Sequence, residues 1–140
     1  MAIVLDASVA LSAVLPDEDS AFSEAAVAAG LKEGIVAPAL WPYEVQNGLL
    51  VALRRKRLDH GSLAQALDAL RGLTPTLRAT EGLGVELSIA QEHAVSAYDA
   101  AYIAVSLAIK ARLATTDQRL RASAASAGVK LFTPSKRLSR

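Results

Sequence analysis

The strongest constraint on this chain is that its apolar runs have the length of strands and that helical stretches separate them. "AIVLD" at 2–6, "GIVAPAL" at 34–40, "LATT" at 113–116 and "VKLFT" at 129–133 are short and scarcely alternate with polar residues. That pattern suits strands buried on both faces, as in a parallel sheet covered by helices. The intervening residues read as helices. Residues 7–15 form a short one stopped by Pro16, and Ser20 to Ala29 a second closed by Gly30. Pro42 opens a third that runs to about Lys56, and Asp59 and Gly72 bracket a fourth. Residues 73–79 form a short extended segment, and Thr80 caps a helix reaching Glu92. Helices over 97–111 and in "DQRLRASAASA", closed by Gly128, complete the order. Strands alternating with helices predict an α/β fold with a mainly parallel sheet.

No repeat, linker or low-complexity tract divides the 140 residues, so 1–134 are expected to form one domain, followed by a basic tail at 135–140. Hydrophobic residues make up 52% and charged residues 21%, a balance that excludes the disordered class. The absence of cysteine excludes disulfides, thiolate metal sites and a thiol nucleophile. Asp6 interrupts the first apolar run too early for a secretion signal, and no run approaches the ~18 apolar residues of a membrane span. A soluble cytoplasmic protein is expected.

In an open parallel sheet, ligands bind beyond the carboxyl ends of the strands. Asp6 ends the first strand and Asp117 directly follows "LATT". Glu44 and Asp99 stand in the opening turns of their helices, so this topology predicts all four at one edge of the sheet. Capping accounts for a single acid at a helix start, and Asp17, Glu18 and Asp19 in a polar turn belong to that class. Asp6 and Asp99, however, sit in apolar surroundings, where an unpartnered carboxylate costs several kcal/mol or takes up a proton. Ser8 two residues past Asp6, Asn47 one turn along from Glu44, and Thr115 and Thr116 just before Asp117 carry short oxygen-bearing side chains fit to orient a carboxylate or a metal-bound water. An all-oxygen anionic cluster with no histidine or cysteine suits Mg²⁺ or Mn²⁺. His60 and His93 read as surface or capping residues, Tyr98 and Tyr102 as core residues with base stacking as the alternative, and Trp41 as core or interface.

The segments "VLDASVALS", "PYEVQNGLL", "YDAAYIAVS" and "LATTDQRL" together resemble the PIN-domain family, and within it the VapC-type toxins of bacterial toxin–antitoxin pairs. The resemblance implies an α/β/α sandwich and a Mg²⁺- or Mn²⁺-dependent endoribonuclease with one or two ions. It carries the catalytic acids onto Asp6, Glu44, Asp99 and Asp117. Asp6, Asp99 and Asp117 are then direct or water-mediated ligands, while Glu44 is a ligand or orients the attacking water. Supporting roles fall on Ser8, Asn47 and Thr116. Some members carry a further acid two residues past the last one, where this chain has Arg119. The resemblance also implies a homodimer and a small antitoxin protein as partner. A receiver-like signalling module, a phosphoaspartate enzyme and an RNA-processing nuclease without a toxin role are the alternatives. The first two lack the second acid they need beside Asp6, where Ser8 stands.

The formal charge is +1, from 15 basic and 14 acidic residues. Setting the four site acids apart leaves 10 acidic against 15 basic, a modest bias toward an anionic partner. Arg54, Arg55, Lys56 and Arg57 concentrate that bias at a helix end. They read equally as RNA phosphate contacts or as partners of the helix C-terminus.

Overall fold

Ile3, Val4 and Leu5 are fully buried because the strand they form, β1 (Ile3–Leu5), lies inside the sheet with neighbours on both edges. In the computed structural model, which describes residues 1–18 and 20–135, β1 is followed by helices α1 (Ala7–Val14) and α2 (Ala21–Glu33). Strand β2 (Ile35–Pro38), helices α3 (Trp41–Arg54) and α4 (His60–Arg71), and strand β3 (Thr76–Arg78) come next. Helices α5 (Leu83–His93) and α6 (Ala97–Ile109), strand β4 (Arg112–Ala114) and helix α7 (Gln118–Ser126) complete the order. Apart from Ser135, the tail expected at 135–140 lies outside the described residues, as does Asp19.

The four strands are all parallel, in the order β3-β2-β1-β4. The chain steps outward from β1 to β3, then returns to the opposite edge for β4. Right-handed crossovers taken in opposite directions put their helices on opposite faces of a sheet. The result is an α/β/α sandwich in which α6 packs against β1, β2 and β4 and α2 packs against β1. The reversal of strand order falls between β1 and β4, the switch point at which such sheets bind ligands. Asp6 leaves one strand there and Thr115 the other, and the Asp6 N–H joins them by donating to the Ala114 carbonyl at 3.0 Å.

Gly48 keeps α3 against α1. A Cβ there would come within 2.3 Å of the Leu11 side chain, so the close approach depends on the missing methyl group. Glu44, one turn earlier on α3, is thereby held beside the junction of β1 and α1. Among the described residues no helix is long and apolar enough to cross a membrane.

Three local expectations need correction. Helix α2 does not stop at Gly30 but runs on to Glu33 and ends at Gly34, whose φ is 106°. Gly30 instead admits the Ile35 side chain, which would lie 2.6 Å from a Cβ at that position. Thr80 does not cap α5, which starts after Gly82. Its hydroxyl donates to Glu86 Oε1 at 2.6 Å and accepts the Gly82 N–H, a contact that secures the loop ahead of the helix. "VKLFT" forms one parallel bridge, Leu131 with Leu113, rather than a strand. Beyond that bridge its apolar side chains pack inward: Phe132 is buried, edge-on to Phe22 at 5.8 Å.

Candidate active site

Asp6 occupies the residue before α1, where an aspartate usually caps the helix, yet its side chain makes no capping bond. Its Oδ2 accepts two hydroxyls instead, Ser8 at 2.7 Å and Thr115 at 2.6 Å. Asp6 is only 8% exposed and Thr115 is fully buried. Burial pushes the Asp6 carboxyl above its usual range, the two hydroxyls draw it back, and the nearby Asp117 raises it again. Thr115 ties both strand ends together, because its oxygen also accepts the Asp117 N–H at 3.1 Å. The hydroxyl on Asp6 thus belongs to Thr115, one residue before Thr116, to which the resemblance assigns the role. Thr116 is exposed and its hydroxyl reaches Ser8 at 3.1 Å.

Asp117 does cap its helix: Oδ1 accepts the Arg119 and Leu120 N–H groups at 2.9 and 3.2 Å. Asp99 does not, since Ser96 caps α6 and receives the Asp99 N–H at 3.1 Å. Among the described residues no group donates a hydrogen bond to the Asp99 carboxylate. Burial raises its pKa first, then the charges of Asp117 and Asp6, with Arg119 acting in the opposite direction. The capping explanation therefore covers one of the four acids; Asp6 is buried as expected, whereas Asp99 is only half-buried.

Glu44 enters from the first turn of α3, and the Tyr102 hydroxyl donates to its Oε1 at 2.5 Å. The same hydroxyl accepts the Ala7 N–H at 3.3 Å, which joins α3, α6 and the start of α1 through one oxygen. Of the two tyrosines read as core, the Tyr102 ring is, at 1% exposed, whereas Tyr98 is not, at 66% exposed. The sequence reading missed that the phenol tip reaches the site. Its signal was the three-residue spacing from Asp99 on α6, which puts neighbours on adjoining helix faces. Burial raises Glu44, the Tyr102 bond lowers it, and the charges of Asp6 and Asp99 raise it further. The Tyr102 phenol is itself pushed far above its ordinary range by burial and by these acids, so it stays a donor throughout the working pH range.

Asp6, Glu44 and Asp99 thus repel one another, and among the described residues no lysine or arginine forms an ion pair with any of the four acids. Among the described residues no three of them form a group that could hold an ion. Three of the four are held by neighbours: Asp6 by Ser8 and Thr115, Glu44 by Tyr102, and Asp117 by the start of α7. The donor set is all oxygen and lacks positive charge, which fits a hard divalent ion. Asn47 is exposed one turn after Glu44.

The basic cluster lies at the other end of α3, about 15 Å from Glu44 at 1.5 Å per residue. Arg54, Arg55 and Lys56 are exposed. Arg57 is engaged, donating to Asp17 at 2.7 and 3.1 Å and to Glu18 at 2.9 Å. His60 starts α4 and His93 ends α5, both outside the acid cluster.

The family model described as PIN domain matches residues 3–131. Ribonuclease VapC3 of Pyrobaculum aerophilum is 32% identical over 123 residues, 86% of this chain and 92% of that protein. Ribonuclease VapC9 of Mycobacterium tuberculosis is 35% identical over 118 residues, 84% of this chain and 87% of that one. Among solved structures, PAE2754 from Pyrobaculum aerophilum superimposes with a TM-score of 0.68 at 25% identity, covering 88% of this chain and 79% of that one.

Proposed function

Because the chain belongs to the PIN-domain family, in its VapC-type branch, we propose that it is an endoribonuclease that hydrolyses RNA phosphodiesters with the help of Mg²⁺ or Mn²⁺. The observation that carries this reading is the set of carboxylates at the β1/β4 switch point. Asp6, Glu44 and Asp99 come from three different elements, feel one another's charge and, among the described residues, form no ion pair.

Asp6, Asp99 and Asp117 would hold one or two ions, with Glu44 beside them. A bound ion of this kind lowers the pKa of a water and offsets charge at the phosphate. The protein's own contribution is orientation. Ser8 and Thr115 fix one Asp6 oxygen and keep the carboxylate from rotating. Tyr102 fixes Oε1 of Glu44 and leaves Oε2 to accept a hydrogen bond from the attacking water. Asn47, Thr116 and the exposed Arg54, Arg55 and Lys56 would supply polar and phosphate contacts to RNA; Arg57 serves first to pin the α1–α2 turn.

In this reading residues 1–134 are the nuclease domain and 135–140 a basic tail. The protein is a cytoplasmic toxin that works as a homodimer and is restrained by a small antitoxin. The reading is tested by incubating RNA with the purified protein. Cleavage in Mn²⁺ that stops in chelator and in Asp99→Asn supports it; undiminished cleavage in either condition refutes it. Growth arrest on expression, relieved by co-expressing a small neighbouring protein, tests the toxin role.

A further inference from the structure

A cleft adjoins the acids through Thr115 and Thr116. It lies between α2 and the start of α7, has a volume of ≈ 440 Å³ and is lined by Phe22, Thr115, Thr116, Gln118, Arg121 and Thr133. Thr115 and Thr116 form the wall it shares with the carboxylates, since their hydroxyls bond Asp6 and Ser8 on the other side. The cleft also carries positive charge. The Arg121 guanidinium lies over the Phe22 ring at 5.7 Å, and the one hydrogen bond it makes to a described residue, to the Thr115 carbonyl, is long at 3.5 Å. Among the described residues no acid pairs with it. Arg121 is thus oriented by an aromatic face, half-buried, and still has donors to spend.

Cation, ring and amide beside a phosphodiester-cleaving centre match one chemistry. We propose that this cleft is a nucleotide subsite for single-stranded RNA. It takes the nucleotide next to the scissile bond, with that nucleotide's phosphate on the Arg121 guanidinium and its base against the Phe22 wall. Arg121 suits a phosphate because its planar fork presents paired N–H donors, and aromatic rings stack on bases of any sequence. Gln118 and Thr133, exposed at the rim, can hydrogen-bond base or ribose edges. The shared threonine wall sets the register: a strand whose scissile phosphate meets the carboxylates passes its neighbouring nucleotide into the cleft.

The subsite rests on the nuclease reading, and its test is separable from it. The probe is a fluorescent 2′-O-methyl oligoribonucleotide of fixed sequence, which resists cleavage. It is titrated in Mg²⁺ against the full chain and against Arg121→Gln, Arg121→Lys and Gln118→Glu at several salt concentrations. Arg121→Gln is expected to bind about tenfold more weakly, the effect of losing one charged hydrogen bond. Its slope of log K against log salt is expected to fall by about 0.7, one single-strand phosphate contact. Arg121→Lys keeps that slope, and Gln118→Glu, on the exposed rim, weakens binding with no loss of melting temperature. Equal affinity and equal slope in wild type and Arg121→Gln overturn the subsite while leaving the nuclease reading in place. A wild-type protein that neither binds the probe nor cleaves RNA overturns both.

Discussion

Replacing Tyr102 by phenylalanine removes one oxygen and leaves the buried ring, so it isolates what the hydroxyl does. That oxygen donates to Glu44 Oε1 at 2.5 Å and accepts the Ala7 N–H at 3.3 Å. A hydrogen bond to an ionised group contributes about 1.5–3 kcal/mol, and the long contact to Ala7 adds little. For a chain of this size the loss lowers the melting temperature by roughly 5–12 °C. The bond favours the ionised form of Glu44, so its contribution is present where Glu44 is charged and vanishes as pH falls through the Glu44 titration. The stability gap between the two proteins therefore closes in acid. The hydroxyl is also one of the forces lowering the Glu44 pKa against burial. In Tyr102→Phe that titration moves up, and the acid limb of the cleavage profile moves to higher pH with it. Loss of about 1.4 kcal/mol of orientation makes kcat at the plateau about tenfold smaller. Initial rates on an RNA oligonucleotide from pH 5.5 to 8.5, with thermal melts alongside, supply all three readings. A variant that melts earlier but keeps the wild-type kcat and pH profile would show that Tyr102 is a core residue alone and refute the reasoning.

The other expectations concern the same framework. The Asp99 carboxyl is raised above its unfolded value of 3.8, so it favours the folded state below that pH and ceases to as pH rises through the raised pKa. In chelator, Asp99→Asn is therefore expected to melt higher than wild type at pH 8 and to converge with it near pH 4. A lower melting temperature at pH 8 would contradict the electrostatics. Thr115→Val keeps the shape of a buried side chain but strips Asp6 and the Asp117 N–H of their shared hydroxyl. It should cost ~1–3 kcal/mol in chemical denaturation and reduce cleavage more than Thr116→Val does; equal effects would return the role to Thr116. Gly48→Ala places a methyl group 2.3 Å from Leu11, and overpacking of this kind costs about 1–3 kcal/mol. Leu11→Val in the same chain should recover part of the lost denaturation midpoint, and no recovery would mean that the two helices do not meet there.

Much of the strand and helix order was legible because β1, β2 and β4 lie in apolar runs and because Ser20, Asp59 and Asp117 mark helix starts. The parallel edge at which Asp6 and Asp117 meet followed from topology alone. What stayed hidden depends on distance rather than pattern. Gly30 reads as a helix stop in sequence and Gly48 carries no signal there, yet both act through the space they leave for Ile35 and Leu11. Nothing in "LATTD" tells which threonine faces Asp6, since the strand ends at Ala114 and the chain turns immediately after it. Tyr102 reads as core because its ring is core; only a contact across 58 positions to Glu44 discloses the hydroxyl's role. The Arg121–Phe22 pairing is equally nonlocal, spanning two helices at opposite ends of the chain.

The account stands or falls on whether these acids gather around a divalent ion. Anomalous diffraction from crystals grown with Mn²⁺ asks that directly. The expected result is a peak bound by the carboxylates of Asp6, Asp99 and Asp117, with Glu44 alongside and no peak in Asp6→Asn. A saturated crystal with no peak there, or with manganese only on unrelated surface acids, would contradict it.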